Sequence, residues 1–175
     1  MPRLFVAVWP PDEVLDRIAA LPRPEVDGLR WTPREQWHVT LRFLGSVSDV
    51  EPLISALAGL KGRAALAHLG PATDRFGHRV LHLPVAGLDA LAADVVKATA
   101  GHGRPPDGGP PDNRQFHGHL TLARVGRRVT VDLRSLAGVP VAARWPVTGI
   151  SLVESRADRG GVRYEVLDHF PVVNG

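Results

Sequence analysis

A chain of 175 residues with 44% apolar and 22% charged side chains is long enough for one substantial core and short for two independent domains, so a single unit spanning 1–175 is expected. This composition excludes wholesale disorder, and the absence of cysteine excludes disulfides, thiolate nucleophiles and thiolate-held zinc. The formal charge is +3, yet the pI is about 10.1, because Lys61 and Lys97 are the only lysines and every other cation is an arginine. The planar arginine fork suits phosphate oxygens, although a bias toward arginine-rich codons accounts for the same excess. No apolar run approaches the roughly 18 to 20 residues of a membrane span and the N-terminus lacks a signal segment, so a cytoplasmic protein off the membrane is expected.

Leu4 to Trp9 reads as a buried strand stopped by Pro10 and Pro11. Val14, Leu15, Ile18 and Leu21 recur at helical spacing over 12–21, and Pro22 and Pro24 close that helix. A loop carrying Trp31 and Pro33 then leads to a strand from His38 to Leu44, ended by Gly45. Ser48-Asp49-Val50-Glu51 has the spacing of a capping box, which predicts a helix over 49–60. Strands at Ala64 to Leu69 and Arg79 to Val85 flank a turn around Gly77, and an amphipathic helix follows from Leu88 to Ala100. Gly101 to Asn113 is too rich in Gly and Pro for a regular element and reads as a long, functional loop. A strand from His119 to Val125, a short segment near Leu133 to Leu136 and strands at Val147 to Glu154 and Val162 to Leu167 complete the chain. The last two form a hairpin through Arg159-Gly160-Gly161.

The two halves repeat one order of strand, helix, loop and strand, and in each the last strand begins with His-x-Thr-Leu. Alternation along a strand puts His38, Thr40 and Arg42 on one face against Val39, Leu41 and Phe43, and puts His119 and Thr121 opposite Leu120 and Leu122. If the halves pack about a pseudo-twofold axis, two imidazoles and two hydroxyls meet in one cleft. That pattern suits in-line displacement at phosphorus. One imidazole protonates the departing oxygen, the other takes a proton from water, and hydroxyls and arginine hold the non-bridging oxygens. A shared core role for the two motifs would be met equally well by apolar residues.

These motifs, with Arg3-Leu4-Phe5-Val6-Ala7-Val8, Arg30-Trp31-Thr32-Pro33, His38 to Gly45, His119 to Arg124, Ile150 to Ser155, Gly161 and Tyr164, resemble the two-histidine phosphoesterases, and within them the RNA 2′,3′-cyclic phosphodiesterases or 2′-5′ RNA ligases. The resemblance spans nearly the whole chain. It implies a bilobal α+β fold with an antiparallel sheet in each lobe, the active cleft between them, and a monomer. It also implies hydrolysis of 2′,3′-cyclic phosphate on RNA ends or nucleotides to a 2′-phosphomonoester, without metal or cofactor, with 2′-5′ ligation as the reverse reaction. By motif position His38 would be the proton donor and His119 the acceptor, with Thr40, Thr121 and Arg124 on the phosphate. In two respects the chain departs from the family. Gly118 stands where proline usually precedes the second motif, which predicts a looser start to that strand. Strict alternation turns Arg124 away from His119, so its role requires a bulge or a strand end.

Elsewhere, His117 could suggest a metal pair with His119, but no third ligand has suitable spacing. His68, His78, His82, His102 and His169 read as surface or satisfied structural residues. Trp31, Trp37 and Phe116 could stack on a base, with apolar packing the commoner role, while Trp9 and Trp145 read as core or lobe contacts.

Overall fold

The structure, a computed structural model, describes residues 3–60, 64–103 and 115–172. The expected functional loop at Gly101 to Asn113 lies, from 104 onward, outside the described residues. The fold is α+β. Its strands are β1 (Arg3–Val8), β2 (Leu29–Trp31), β3 (Val39–Ser46), β4 (Ala65–Leu69), β5 (Asp74–Phe76), β6 (Val80–Ala86), β7 (His119–Val125), β8 (Ala143–Val147), β9 (Gly149–Asp158) and β10 (Gly161–Pro171). Between them run α1 (Asp12–Ala19), α2 (Glu51–Ala58) and α3 (Asp89–Ala98), with 3-10 turns at Arg34–Gln36 and Leu133–Ser135.

The strands follow the order β10-β9-β1-β3-β7-β6-β4-β8, with β2 added on β7 and β5 on β6. Read from the middle outward, β3, β1, β9 and β10 match β7, β6, β4 and β8. The duplication in the sequence is therefore a pseudo-twofold arrangement of two antiparallel lobes. Among the described residues one pair, Val39 with Leu120, joins β3 to β7, so the lobes splay apart on either side of it.

Each helix forms because its sequence offers one apolar stripe. Val14 and Ile18 of α1 are buried, the turn opens on Asp12 and Glu13 and closes on Arg17, and those charges oppose the helix dipole. In α3 the buried stripe is Leu91, Ala92 and Val95. The helices cross between lobes: α1 packs on β8 and α3 on β3. One core accordingly runs through both halves, from Leu4, Val6 and Val39 to Leu83, Leu120 and Trp145, and a small second cluster of Phe5, Ala7 and Val153 lies with Trp9 and Tyr164.

Several expectations are corrected. The helix expected over 49–60 spans Glu51–Ala58, and the capping box does not form. Val50 occupies the cap without a side-chain bond, and Asp49, not Ser48, accepts the Glu51 amide at 3.2 Å. The loop around Trp31 contains β2, whose apolar ends were hidden by Arg30 and which is held by its partner β7. The turn region before Arg79 contains β5, a hairpin partner of β6 through Gly77, whose φ of 53° suits glycine. The strand expected from Val147 to Glu154 is two strands in different lobes. β8 pairs with β4, and β9 pairs with β1 after the chain crosses at Thr148.

Candidate active site

The motif strands begin with the expected parity. Val39 and Leu120 point into the core at 0% exposure, which leaves His38, Thr40, His119 and Thr121 half-buried on the opposite face. Beyond the threonines both strands bulge. In β3, Ala7 faces Thr40 and Val6 faces Arg42, so Leu41 is extra. In β7, His82 faces Thr121 and Leu81 faces Ala123, so Leu122 is extra.

One extra residue reverses the alternation. Arg42, expected beside His38 and Thr40, instead leaves that face and donates to the Val96 carbonyl at 2.7 Å and to Thr99 Oγ1 at 2.6 Å, at the end of α3. Phe43 takes its place on the cleft side, at 44% exposure. The same slip in β7 supplies the bulge that a phosphate role for Arg124 required and brings that guanidinium round to the face of His119 and Thr121. Arg124 is paired across the strands with Arg30 of β2. Like charges directly opposite repel, and an anion held between them removes that penalty.

The result is a cleft of about 410 Å³ between the lobes, lined by His38, Thr40, His119, Thr121 and Arg124 together with Phe5, Arg30, Phe43 and Tyr164. The tip of the β9–β10 hairpin walls one side at Gly160 to Val162, where Gln36 Nε2 donates to the Val162 carbonyl at 2.7 Å. A larger surface hollow of about 620 Å³, lined by Arg17, His68 and Arg144 among others, contains neither motif.

Both imidazoles are oriented by the same device. His38 Nδ1 lies 2.7 Å from the Gln36 carbonyl and His119 Nδ1 lies 2.8 Å from the His117 carbonyl, in each case two residues upstream. A carbonyl only accepts, so both rings carry the proton on Nδ1 and turn Nε2 to the cleft. In the first motif Nε2 meets Thr40 Oγ1 at 3.1 Å. Their surroundings differ. His38 is packed by Phe5 at 4.9 Å, Trp9 at 5.1 Å and Tyr164 at 5.2 Å, and its pKa is lowered to about 4. Burial is the main cause, the Gln36 carbonyl opposes it, and the charges of His119 and Arg124 add to it. His119 is edged by Phe76 at 4.9 Å and His82 at 5.6 Å.

Trp37 and Trp145 are core, Phe116 packs against the core, and Trp31 lines the cleft while its indole bonds the Pro24 carbonyl. Trp9, read as core or lobe contact, also touches His38. His117 contributes its carbonyl, and among the described residues no cluster of three or more His, Asp or Glu could hold a metal ion. His82 is not a surface residue: it is 3% exposed and touches His119. Gly118 does not loosen its strand. A Cβ there would come within 2.1 Å of the Val85 carbonyl oxygen, so glycine permits the tight approach in which the Val85 amide bonds the Gly118 carbonyl at 2.9 Å. Phe5, Phe43, Phe76 and His82 carried no functional reading in the sequence. The signal lay in the duplication: Phe43 and Arg124 each stand three residues after the motif threonine, and His82 stands where Ala7 does.

Comparison with known proteins gives one consistent result. Residues 8–70 and 88–164 match the family described as LigT like Phosphoesterase. The crystal structure of Escherichia coli LigT complexed with 3′-AMP is 30% identical, covers 98% of this chain and 99% of that one, and superposes with a TM-score of 0.72. The crystal structure of TT0787 of Thermus thermophilus is 29% identical, with 99% and 98% coverage and a TM-score of 0.71. A curated relative, the RNA 2′,3′-cyclic phosphodiesterase of Geobacillus stearothermophilus, is 29% identical over 155 residues, 82% of this chain. The chain spans about half of that relative, 48% of its length.

Proposed function

The chain belongs to the LigT-like phosphoesterase family, and on that premise we propose that it hydrolyses 2′,3′-cyclic phosphate on RNA ends or nucleotides to a 2′-phosphomonoester, using His38 and His119 and no metal. The observation that carries this reading is the matched pair of imidazoles, each locked by Nδ1 to a carbonyl two residues upstream and each presenting Nε2 to a cleft that also holds Thr40, Thr121 and Arg124. The phosphodiesterase activity named for the curated relative and the 3′-AMP bound by E. coli LigT agree in substrate class.

In the proposed reaction His119 Nε2 accepts a proton from water as its oxygen attacks phosphorus. The bond from phosphorus to the 3′ oxygen breaks, and that oxygen takes the proton held on His38 Nε2. Thr40, Thr121 and Arg124 donate to the non-bridging oxygens as charge grows on them. Burial, the main cause, keeps free His38 neutral above about pH 4, so the substrate must supply what favours its charge: an anionic phosphate beside the ring attracts the proton directly and opposes that burial. A base would rest on the exposed ring of Phe43, backed by Phe5 at 6.4 Å. Ligation through a 2′-5′ linkage is the same path reversed, and water favours hydrolysis.

Incubation with a 2′,3′-cyclic nucleotide in EDTA, with the product isomer identified by phosphorus NMR, tests the proposal. A 2′-phosphate is expected. A 3′-phosphate, loss of turnover in EDTA, or turnover surviving both His38→Ala and His119→Ala would overturn it.

A further inference from the structure

His82 lies on β6 opposite Thr121, buried to 3% exposure, and among the described residues its Nδ1 has no hydrogen-bond partner. Hydrogen bonding at that atom therefore does not explain why a histidine stands there. What the side chain makes are ring contacts. It stacks on Phe76 with centroids 3.8 Å apart and planes 9° from parallel. Both rings then meet His119 nearly at right angles, Phe76 at 88° and His82 at 78°. Phe76 is carried by β5 and His82 by β6, and the two strands form a hairpin, so the stack is fixed by backbone pairing as well as by packing.

Among the described residues, Phe76 and His82 are the rings in contact with His119. The Nδ1 bond to the His117 carbonyl fixes one atom, and rotation about that bond is left to whatever packs on the sides of the ring. The corresponding restraint on His38 comes from Phe5, Trp9 and Tyr164. In the second lobe the equivalent of Ala7 has become His82, and the stack built on it occupies the side of the imidazole.

We propose that His82, held by Phe76, is a positioning residue that fixes the ring plane of His119 for its exchange of a proton with water. This rests on the acid–base roles proposed above for the two motif histidines. Burial, with the charge of His119 adding and that of Asp74 opposing, lowers the pKa of His82 to about 4, so near neutral pH the supporting ring is uncharged. A charged support would oppose the positive charge that His119 gains in each turnover. The edge-to-face arrangement of His119 on Phe76 is also one that aromatic rings favour.

The test compares His82→Ala, His82→Phe and Phe76→Leu with the unmodified protein, by kinetics on a 2′,3′-cyclic nucleotide and by nitrogen-15 NMR of the His119 ring. Misplacing a reacting group by about 1 Å costs up to about 100-fold in rate, so His82→Ala should lower kcat about 10- to 100-fold while KM moves less than about threefold. His82→Phe keeps a ring and should return kcat to within about threefold. The Nδ1 proton of His119 should be resolved in the unmodified protein and in His82→Phe, and averaged in His82→Ala. Phe76→Leu alters a ring that is 42% exposed, so folding should survive, and it should show the same KM-against-kcat split at smaller size. A folded His82→Ala protein with unchanged kcat and an unchanged His119 signal would overturn the proposal, as would His82→Phe being as impaired as His82→Ala. If His82→Ala does not fold, unchanged kcat and signal in Phe76→Leu overturn it instead. Failure of the acid–base reading would show separately, as an inactive unmodified protein or an active His119→Ala, and the NMR comparison remains decisive in either case.

Discussion

The two lobes repeat their backbone more faithfully than their side chains. β3 and β7 share the motif, the carbonyl that locks each imidazole, and a bulge one residue after the threonine. At the position the bulge turns into the cleft, however, one lobe carries Phe43 and the other Arg124. Around the imidazoles one lobe supplies Phe5, Trp9 and Tyr164, and the other Phe76 and His82. Duplication thus sets up a symmetric pair of imidazoles, and a few side chains give the cleft direction, with Arg124 on one strand and Phe43 on the other.

The largest expected effects test the symmetric part. His38→Ala and His119→Ala should each lower kcat by about 1,000-fold, midway in the range of about 100- to 10,000-fold for a positioned proton donor or acceptor, with the fold retained at assay temperature. Circular dichroism melts beside cyclic-nucleotide turnover check this, and unequal losses would show that the pair is less matched than its geometry.

The next effects test the asymmetric part. Arg124→Ala removes the charge-assisted contact proposed for the developing oxyanion and should lower kcat/KM about 10- to 100-fold, expressed largely in kcat. It should also raise the pKa of His38, since the Arg124 charge is one of the causes that lower it. Phe43→Ala should instead raise KM about 5- to 150-fold, a base–aromatic stack being worth about 1–3 kcal/mol, with kcat little changed. Steady-state kinetics and NMR titration of His38 separate the outcomes. If both variants alter the same parameter, the cleft has no such polarity.

Much of this site was legible because strand alternation needs nothing beyond the sequence. His38, Thr40, His119 and Thr121 follow from the motif and its repetition. What failed was parity past the threonine. A bulge depends on the neighbouring strand, here on how β1 and β6 pair, and no local pattern in Leu41 or Leu122 announces it. Arg42 and Phe43 were therefore exchanged, while Arg124 needed a bulge that only pairing could supply. The short strands β2 and β5 were missed for the same reason, since three residues gain strand character only from a partner. The Ser48 capping box illustrates a local signal overridden by Asp49, one residue nearer the helix.

Arg42 and Gly118 support the lobes without lining the cleft. Arg42→Ala breaks two bonds to the end of α3 and should cost about 1–3 kcal/mol of stability. Gly118→Ala forces a Cβ against the Val85 carbonyl and should cost a similar ~1–3 kcal/mol. Denaturant unfolding measures both, with Arg42→Ala retaining its turnover per folded molecule. Stability equal to that of the unmodified protein would remove these residues from the account of how the lobes are held.

The smallest expected effect concerns acid. His38 and His82 both have pKa values lowered to about 4, against about 6.5 in the unfolded chain. Above about pH 6.5 both are neutral in either state and contribute no pH dependence. As the pH falls from there toward 4, the unfolded chain binds protons that the folded protein refuses, so stability is lost across that window. Other groups titrate there too, so the difference between proteins is the useful quantity. His82→Phe should lose stability less steeply, by close to one proton, when unfolding free energies are compared from about pH 7.5 to about pH 4.5. Parallel curves would mean that His82 takes up its proton in the folded lobe as readily as in the unfolded chain, and that the second lobe shields its rings less than the first.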